Sequence, residues 1–480
     1  MFAAGYRNNS TAALNNVGSN GNYWSSTVSG TNARNLNFNS TNAAMNNNNR
    51  ANGFSVRCLK DWPDLGEGMK SKAVKMDEMN KDKMLLRGLF QAYYDARKNK
   101  RSSIHALAFE MDYETKLFEL YEEIRDRKYE IGKSICFISF DPVMREIFAA
   151  DFRDRVVHHF IYNHINPVFE PRFIYDSYSC RVGKGTSRGI KRLDHFIRSC
   201  SSNYTRDCYV LKMDIEGYFM CMDRSLLYQK ITETLNRCRD TAGFDMDLML
   251  YLIQKVIFHD PVKHCVIKGK KSDWEGLPES KSLFFAGEGR GLPIGNLTSQ
   301  LFGNIYLNEF DHFVKGRLGI RHYGRYVDDM VMVHPDKEYL KGVVPAVREY
   351  LEKQLFLRLH PGKTYLQHFS KGVGFLGTVV KPHRIYVKNR IKGSFYRKIQ
   401  YWNNSIRAKR RLAKEELGEF LSGMNSYLGL MKNFQTYKLR RKMLRENLSA
   451  YFWNYVYISG GYGKLVPKVR TKRQKDLTIF

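Results

Sequence analysis

The chain has 480 residues, 43% hydrophobic and 14% aromatic, which is enough for two or three subdomains with a sizeable core. Its net charge of +30 favours a polyanionic partner over a basic one. No apolar run approaches the ~20 residues of a membrane span, no signal-peptide pattern is present, and eight scattered cysteines indicate neither a zinc site nor a disulfide scaffold. We therefore expect a soluble, cytoplasmic protein.

Residues 1–60 differ in composition from the rest of the chain. They contain 16 Asn and no Asp or Glu, with small residues at most other positions. Such a composition buries too little apolar area to offset the entropy of ordering, so we expect this segment to be poorly ordered. Residues 61–80 read as a linker.

The next part of the chain has a helical pattern. Apolar residues recur at i, i+3 and i+4 spacing within 81–101 and 114–129, and we predict a further amphipathic helix over 145–165. Residues 206–213, RDCYVLKM, predict a buried strand that ends at Asp214.

Downstream, a Gly-rich turn leads into a predicted helix over 294–314, with Gln300, Asn304 and Asn308 along one face. Residues 321–334 predict two short strands joined at Asp328 and Asp329, and GVGFLGTVV and RIYVKN predict further strands. The region from 390 to 455 should be mostly helical.

The C-terminal region concentrates the positive charge. Residues 381–480 carry 24 Lys and Arg against 5 Asp and Glu, with Tyr and Trp interleaved. This pattern is typical of a nucleic-acid surface that combines phosphate contacts with base stacking. The alternative is a solvated helix face, which usually mixes both signs of charge.

Three carboxylates follow predicted strands. Asp214 ends one strand, and Asp328 and Asp329 lie at the tip of a hairpin, so their carboxylates can converge and would then need a counter-ion. Hard oxygen ligands select Mg²⁺, and two such ions (with Mn²⁺ as a possible substitute) would support in-line phosphoryl transfer. For the Asp-Asp dipeptide alone, an ordinary hairpin turn is the competing interpretation.

The order of motifs resolves that choice. DIEGYF, GRGLPIGNLTSQ, YVDD, LHPGK and GVGFLG, taken in this order, resemble motif by motif the palm of a reverse transcriptase. REIFAADFRDRVV and YDSYSCRVGKGTSRGIKRL resemble the finger motifs of group II intron-type bacterial members. The resemblance covers residues 85 to 450 and implies an α+β right-hand polymerase: N-terminal helices and fingers at 81–205, palm at 206–385 with a fingers insertion about 225–290, and a basic helical thumb at 386–480.

The resemblance also implies roles in catalysis. Asp214 and Asp328 would ligate both metals with the carbonyl of Ile215, and Asp329 would be a more peripheral ligand. Lys363 matches the general acid that protonates pyrophosphate; the alternative is an ordinary surface lysine.

Further positions correspond to substrate-binding residues of the family. Arg145 and Arg181, with Lys184 as a further candidate, would hold the triphosphate, although each could equally form a surface salt bridge. Phe219 would exclude a ribose 2′-hydroxyl. The hairpin of Gly374, Phe375, Leu376 and Gly377 would grip the primer.

One departure points to a subfamily. Most reverse transcriptases carry Gln-Gly…Ser-Pro in the Gly-helix motif, where this chain has Ile294-Gly295…Ser299-Gln300. The IGNLTSQ pattern is similar to that of diversity-generating retroelement enzymes, which copy a template-repeat RNA and misincorporate opposite adenine. An aliphatic side chain in place of an amide would weaken selection of the correct nucleotide. Simple drift among group II-like enzymes is the alternative.

The Asn-rich segment resembles the variable region of the C-type-lectin-like targets of these retroelements. Asparagine codons are adenine-rich, so residues 1–60 look like a translated template repeat; a functional Asn-rich tail is the alternative.

We therefore expect an RNA-directed DNA polymerase that binds template RNA, a cDNA primer and dNTPs, together with the small basic accessory protein that the resemblance implies. The rival functions are a group II intron-type reverse transcriptase with maturase activity, a template-independent or abortive-infection polymerase, and a non-catalytic RNA-binding protein on the same scaffold.

Overall fold

The computed structural model describes residues 80–98, 104–140 and 143–468, together with the backbone of the elements between residues 6 and 79. The chain divides into two units, residues 1–76 and 77–480. The expectation that residues 1–60 are poorly ordered concerns a segment that lies largely outside the described residues.

In chain order, the strands are β1 (Tyr6–Arg7), β2 (Leu14–Asn15), β3 (Gly21–Ser29), β4 (Asn32–Phe38), β5 (Ala43–Asn49), β6 (Ser55–Val56), β7 (Ile135–Ser139), β8 (Arg145–Ala149), β9 (Tyr209–Met213), β10 (Val266–Ile267), β11 (His322–Tyr326), β12 (Asp329–His334), β13 (Tyr365–His368), β14 (Val373–Phe375), β15 (Thr378–Lys381), β16 (Arg384–Val387), β17 (Val456–Ser459) and β18 (Lys464–Pro467). In the first unit β3 pairs antiparallel with β4 and parallel with β6, and β5 completes that sheet.

The α-helices are α1 (Met69–Arg97), α2 (Ile104–Glu110), α3 (Tyr113–Arg125), α4 (Phe152–Phe169), α5 (Thr186–Cys200), α6 (Tyr218–Cys221), α7 (Arg224–Asn236), α8 (Met246–Phe258), α9 (Leu297–Tyr306), α10 (Asn308–His312), α11 (Lys337–Leu355), α12 (Asn389–Lys409), α13 (Lys414–Met431) and α14 (Tyr437–Glu446). In the described part of the chain, none of them combines the length and apolar character needed to cross a membrane. The mixture of helices and mainly antiparallel sheets confirms the α+β class.

Two sequence predictions are wrong at their boundaries. Helix α1 begins at Met69, inside the expected linker, because its first turns contain helix-favouring Lys, Ala, Met and Glu. The helix predicted over 145–165 is a strand, β8, followed by α4. Alternate residues of β8 are buried, and the Asp151 side chain accepts the Arg153 amide proton as the N-cap of α4, so the helix cannot start earlier.

The central sheet has the strand order β11-β12-β9-β13, and every neighbouring pair is antiparallel. Its alternating side chains separate two cores. Leu211 and Met213 face a first core that includes α4, α7, α8, α9 and α11. Val210 and Val331 face a second core with α5, the sheet β14-β15-β16 and helices α12 to α14. The strand ends between these cores therefore have fixed positions.

A second sheet, β10-β7-β8, is called here the outer sheet. On β8 the fully buried Glu146 accepts hydrogen bonds from Trp274 Nε1 at 2.7 Å, Ser282 Oγ at 2.8 Å and the Leu283 amide at 2.6 Å. This one carboxylate anchors the irregular segment 271–290 to the outer sheet.

Replacing Glu146 by Leu should destabilise the protein by about 3 kcal/mol, because it leaves buried donors without an acceptor. Denaturant unfolding measures the loss, and hydrogen exchange should show faster amide exchange within 271–290. Glu338→Leu is the matched control, since its side chain is 72% exposed and its loss should change little. Equal stability of the two variants would contradict the anchoring role.

Candidate active site

The pairing of the central sheet brings the three aspartates to one edge. Met213 on β9 lies opposite Met330 on β12, so Asp214 comes next to Asp329 at the ends of the two strands. Asp328 lies in the two-residue turn between β11 and β12, where Tyr326 pairs with Asp329. The sequence prediction of two short strands joined at this pair is confirmed.

The turn that carries Asp328 is strained. Val327 has a φ of +57°, a left-handed conformation that a β-branched residue rarely adopts. Arg325 Nη1 donates a 2.8 Å hydrogen bond to the Val327 carbonyl and so supports this conformation. Strain of this kind persists only where the surroundings determine it, and here the surroundings are a buried ion pair.

Arg325 and Asp311 form that ion pair, with both side chains fully buried. Arg325 Nε and Nη2 donate to the two Asp311 oxygens at 2.8 and 2.7 Å, and Tyr323 Oη donates to Oδ1 at 2.7 Å. The bidentate geometry fixes the guanidinium plane. The pair thus connects α10 to the turn that carries Asp328.

The carboxylates interact unfavourably with one another. Burial, followed by the neighbouring Asp214 charge, raises the pKa of Asp328 to about 7. Asp329 is better compensated, because Lys212 Nζ lies 2.8 Å from its Oδ1. Lys363 Nζ lies 2.6 Å from Asp214 Oδ2.

The site fits a divalent cation. Asp214 Oδ1 is buried without a hydrogen-bond partner, and Asp328 adds a second desolvated hard oxygen donor. The His360 amide donates to the Asp214 carbonyl at 2.8 Å and the Glu216 amide donates to the Arg358 carbonyl at 2.9 Å, so this backbone pairing does not use the Ile215 carbonyl. Among the described residues, no three His, Cys, Asp or Glu side chains form a ready-made metal centre. Asp214 and Asp328 are therefore the main metal candidates, with Asp329 held beside them by Lys212.

Phe219 is partly buried, and its ring packs against a glycine, Gly303. A Cβ atom added to Gly303 of α9 would lie 3.3 Å from the Phe219 ring, and Tyr218 Oη donates to the Gly303 carbonyl at 2.5 Å. A larger residue at 303 would displace the ring. The helix that follows the Gly-rich turn therefore positions this aromatic side chain.

Ile294 and Gly295 are attached to the outer sheet. The Phe148 amide donates to the Ile294 carbonyl at 2.8 Å, and a Cβ on Gly295, where φ is +133°, would lie 2.8 Å from the Phe148 carbonyl oxygen. The Ile294 side chain packs against the buried cluster of Cys136, Phe148, Met220 and Leu283. Gln300 is exposed on α9.

The two predicted triphosphate arginines differ in their surroundings. Arg145 is exposed. Burial raises the pKa of Tyr326 and the Arg145 charge lowers it, so Arg145 lies near the turn that carries Asp328. Arg181 is 6% exposed and donates to the Glu170 carboxylate and to three backbone carbonyls, those of Glu170, Ile174 and Ser177. A triphosphate contact by Arg181 would require those bonds to break. Lys184 Nζ donates a hydrogen bond to the Tyr175 carbonyl oxygen and lies over the Tyr175 ring.

The hairpin formed by residues 374–377 belongs to the sheet β14-β15-β16, called here the hairpin sheet. Leu376 and Gly377 have φ values of +44° and +82°, as a tight two-residue turn requires. Tyr365 Oη donates to the Gly374 carbonyl at 3.1 Å. Burial, followed by the Asp329 charge, raises the pKa of Tyr365 to about 12, so this hairpin lies beside the aspartates.

Sequence reasoning missed Lys212, Asp311 and Arg325. The available signal was a basic residue inside an apolar strand, in VLKMD for Lys212 and HYGRYV for Arg325. Such a residue needs a partner when it is buried. Its partner is distant in sequence and could not be identified from the pattern.

The comparison with protein families decides the nature of the domain. Residues 143–380 match the family described as reverse transcriptase (RNA-dependent DNA polymerase), a range that contains all three aspartates. Residues 143–380 are thus similar to a reverse transcriptase domain. Domains of this family are RNA-directed DNA polymerases, which are nucleotidyltransferases and use divalent metal ions.

Individual similar proteins are more distant. Protein YkfC of Escherichia coli K12 is 24% identical over 289 residues, which cover 54% of this chain and 67% of that protein. Apo telomerase from Candida tropicalis gives a TM-score of 0.42 at 10% identity, covering 66% of this chain and 59% of that one. Telomerase from Candida albicans with a telomeric RNA fragment gives 0.38 at 12%, covering 74% and 62%. The chain thus spans less than two thirds of these telomerase chains.

Arg325→Lys should lower kcat for primer extension at least ~10-fold with little change in the KM for dNTP, because an ammonium cannot hold both Asp311 and the Val327 carbonyl. Arg325→Met should also destabilise the fold by about 3–5 kcal/mol by leaving Asp311 unpaired. Adding Asp311→Leu to Arg325→Met should recover stability but not turnover. Recovery of both, or full turnover of Arg325→Lys, would show that the pair is structural only.

Removing the Asp328 charge should stabilise the metal-free protein. The folded-state pKa of about 7 exceeds that of the unfolded chain, so stability should fall as pH rises from about 4 to about 7. Asp328→Asn should therefore melt above wild type at about pH 8, with a smaller difference below pH 5. Mg²⁺ or Mn²⁺ should raise the Tm of wild type and of the control Asp240→Asn, an exposed position, but not that of Asp328→Asn. An Asp328→Asn variant whose Tm still rises with metal would refute the assignment.

Proposed function

We propose that this protein is the reverse transcriptase of a diversity-generating retroelement, copying a template-repeat RNA into cDNA with misincorporation opposite adenine. The observation that carries the proposal is Ile294 in the IGNLTSQ motif. The apolar cluster around Ile294 and the outer-sheet contacts of Gly295 support a rigid aliphatic surface at this position. An aliphatic side chain offers no polar contact that rewards only the correct nucleotide.

In this proposal the chain's own residues prepare the reaction of the primer 3′-oxygen with the α-phosphorus of a dNTP. Asp214 and Asp328, with the Ile215 carbonyl, would hold Mg²⁺. When bound, the metal supplies charge stabilisation to the attacking and leaving oxygens. Arg145 holds the triphosphate, and Lys363 donates a proton to the departing pyrophosphate. Phe219 restricts the space for a ribose 2′-hydroxyl.

The partners follow from the same proposal. Template RNA and the cDNA hybrid bind the basic surface of α12 to α14, where Tyr401 and Tyr437 are exposed among Lys and Arg. The proposal also includes a small basic accessory protein as a partner, and it places the enzyme in the cytoplasm. The Asn-rich composition of residues 1–60 supports the retroelement assignment independently, because adenine-rich template DNA read in frame encodes Asn.

A combined Asp328→Asn and Asp329→Asn variant should lose primer extension and retain RNA binding, because the metal ligands change and the basic surface does not. Extension of a labelled primer and a filter-binding assay measure the two properties. The Asp240→Asn variant should retain both. Polymerisation by the double variant would end the two-metal assignment.

Products copied from a defined RNA containing adenines should carry substitutions mainly at those adenines. Ile294→Gln should reduce them by restoring an amide near the nucleotide, whereas Ile294→Leu should leave the error pattern unchanged. Sequencing the cDNA measures both. Faithful copying by wild type would favour a group II intron-type enzyme, and untemplated tracts would favour a template-independent polymerase.

A further inference from the structure

Lys388 lies where the hairpin sheet meets the first basic helix. It is the N-cap residue of α12, and its amide donates to the Gly377 carbonyl at 3.0 Å. Its Nζ would lie 3.0 Å from a Cβ atom built on Gly374, so the ammonium covers the hairpin backbone at that glycine. The position of this cation is therefore set by the same hairpin that approaches the aspartates.

The ammonium of Lys388 has no close anion. The Asp329 carboxylate interacts electrostatically with the Lys388 ammonium, but its ion-pair partner is Lys212. Across residues 80–98, 104–140 and 143–468, no ion pair or side-chain hydrogen bond forms at Lys388 Nζ. Burial, followed by the Lys212 charge, lowers the pKa of this half-buried side chain. An incompletely solvated cation beside another cation is unfavourable unless a ligand supplies negative charge.

The position of Lys388 in the fold indicates which ligand it binds. Asp329 and Lys212 lie on the face of the central sheet that carries Val331 and the second core, as does the hairpin sheet. Arg145, which we assign to the triphosphate, comes from the outer sheet instead. The two cations thus approach the aspartates from different elements, and each suits a different phosphate.

We propose that Lys388 binds a backbone phosphate near the 3′ end of the primer and so positions the terminal 3′-oxygen at Asp214 and Asp328. This rests on the proposed polymerase function and adds a residue to it. The hairpin backbone at Gly374, fixed by Tyr365, gives the terminal nucleotide a close surface, and Lys388 supplies the charge beside it.

The test removes one charge from each partner. Lys388→Gln should raise the KM for primer–template about 10-fold with an unchanged KM for dNTP, and should lower the salt dependence of binding by about one counterion. A primer with one neutral methylphosphonate linkage near its 3′ end should impose a similar loss on wild type. At one linkage position, the methylphosphonate should cause almost no further rise in the primer–template KM of the Lys388→Gln variant. Lys388→Arg should restore the wild-type response.

Lys381→Gln is the matched control, because Lys381 is an exposed lysine of the same sheet that lies over Gly372. It should behave as wild type at every linkage. Lys388→Gln should melt no lower than wild type, since it removes an unpaired cation, which separates a binding defect from unfolding.

Additive losses at all linkages, or a rise in the dNTP KM in place of the primer KM, would overturn the proposal while leaving the polymerase function intact. A wild-type protein that extends no RNA-templated primer would instead contradict the proposed function, and this inference with it.

Discussion

Repulsion between the half-buried carboxylates of Asp214 and Asp328 is the interaction on which the candidate site depends. Asp214 and Asp328 meet at the edge of the central sheet, where burial and their proximity raise the pKa of Asp328 to about 7. A fold gains nothing from such a pair unless a cation or substrate uses it. The strained Val327 turn adds a further local cost, and both features persist because the two cores hold the strand ends in place.

The surrounding charges are arranged so that only part of the repulsion is relieved. Lys212 pairs with Asp329, and Lys363 contacts Asp214 through one oxygen, which leaves Asp214 Oδ1 buried and without a partner. The ion pair between Asp311 and Arg325 supports the turn without touching the carboxylates it carries. The Asp311–Arg325 pair thus contributes to stability and to the geometry of the turn, whereas Lys212 and Lys363 partly neutralise the carboxylates.

Local patterns made much of the central region predictable. The strand before Asp214, the hairpin at Asp328 and the helical C-terminal region each follow from residues adjacent in sequence. Prediction failed at β8, because the apolar residues of REIFAADF fit a strand or a helix and only pairing with β7 decides between them. The Asp311–Arg325 pair could not be predicted from the sequence either, because only the fold brings these two residues together. The roles assigned to Arg181 and Lys363 stay predictions.

The number of metal ions bound by the complex with primer, template and an unreactive dNTP analogue tests the account most directly. Mn²⁺ binding, followed by electron paramagnetic resonance, should show two bound ions in wild type and a loss of binding in both Asp214→Asn and Asp328→Asn. Arg325→Lys should still bind both ions, but more weakly, because its carboxylates remain and only their support changes. Full Mn²⁺ occupancy in Asp214→Asn and Asp328→Asn would contradict the claim that these carboxylates form the metal site.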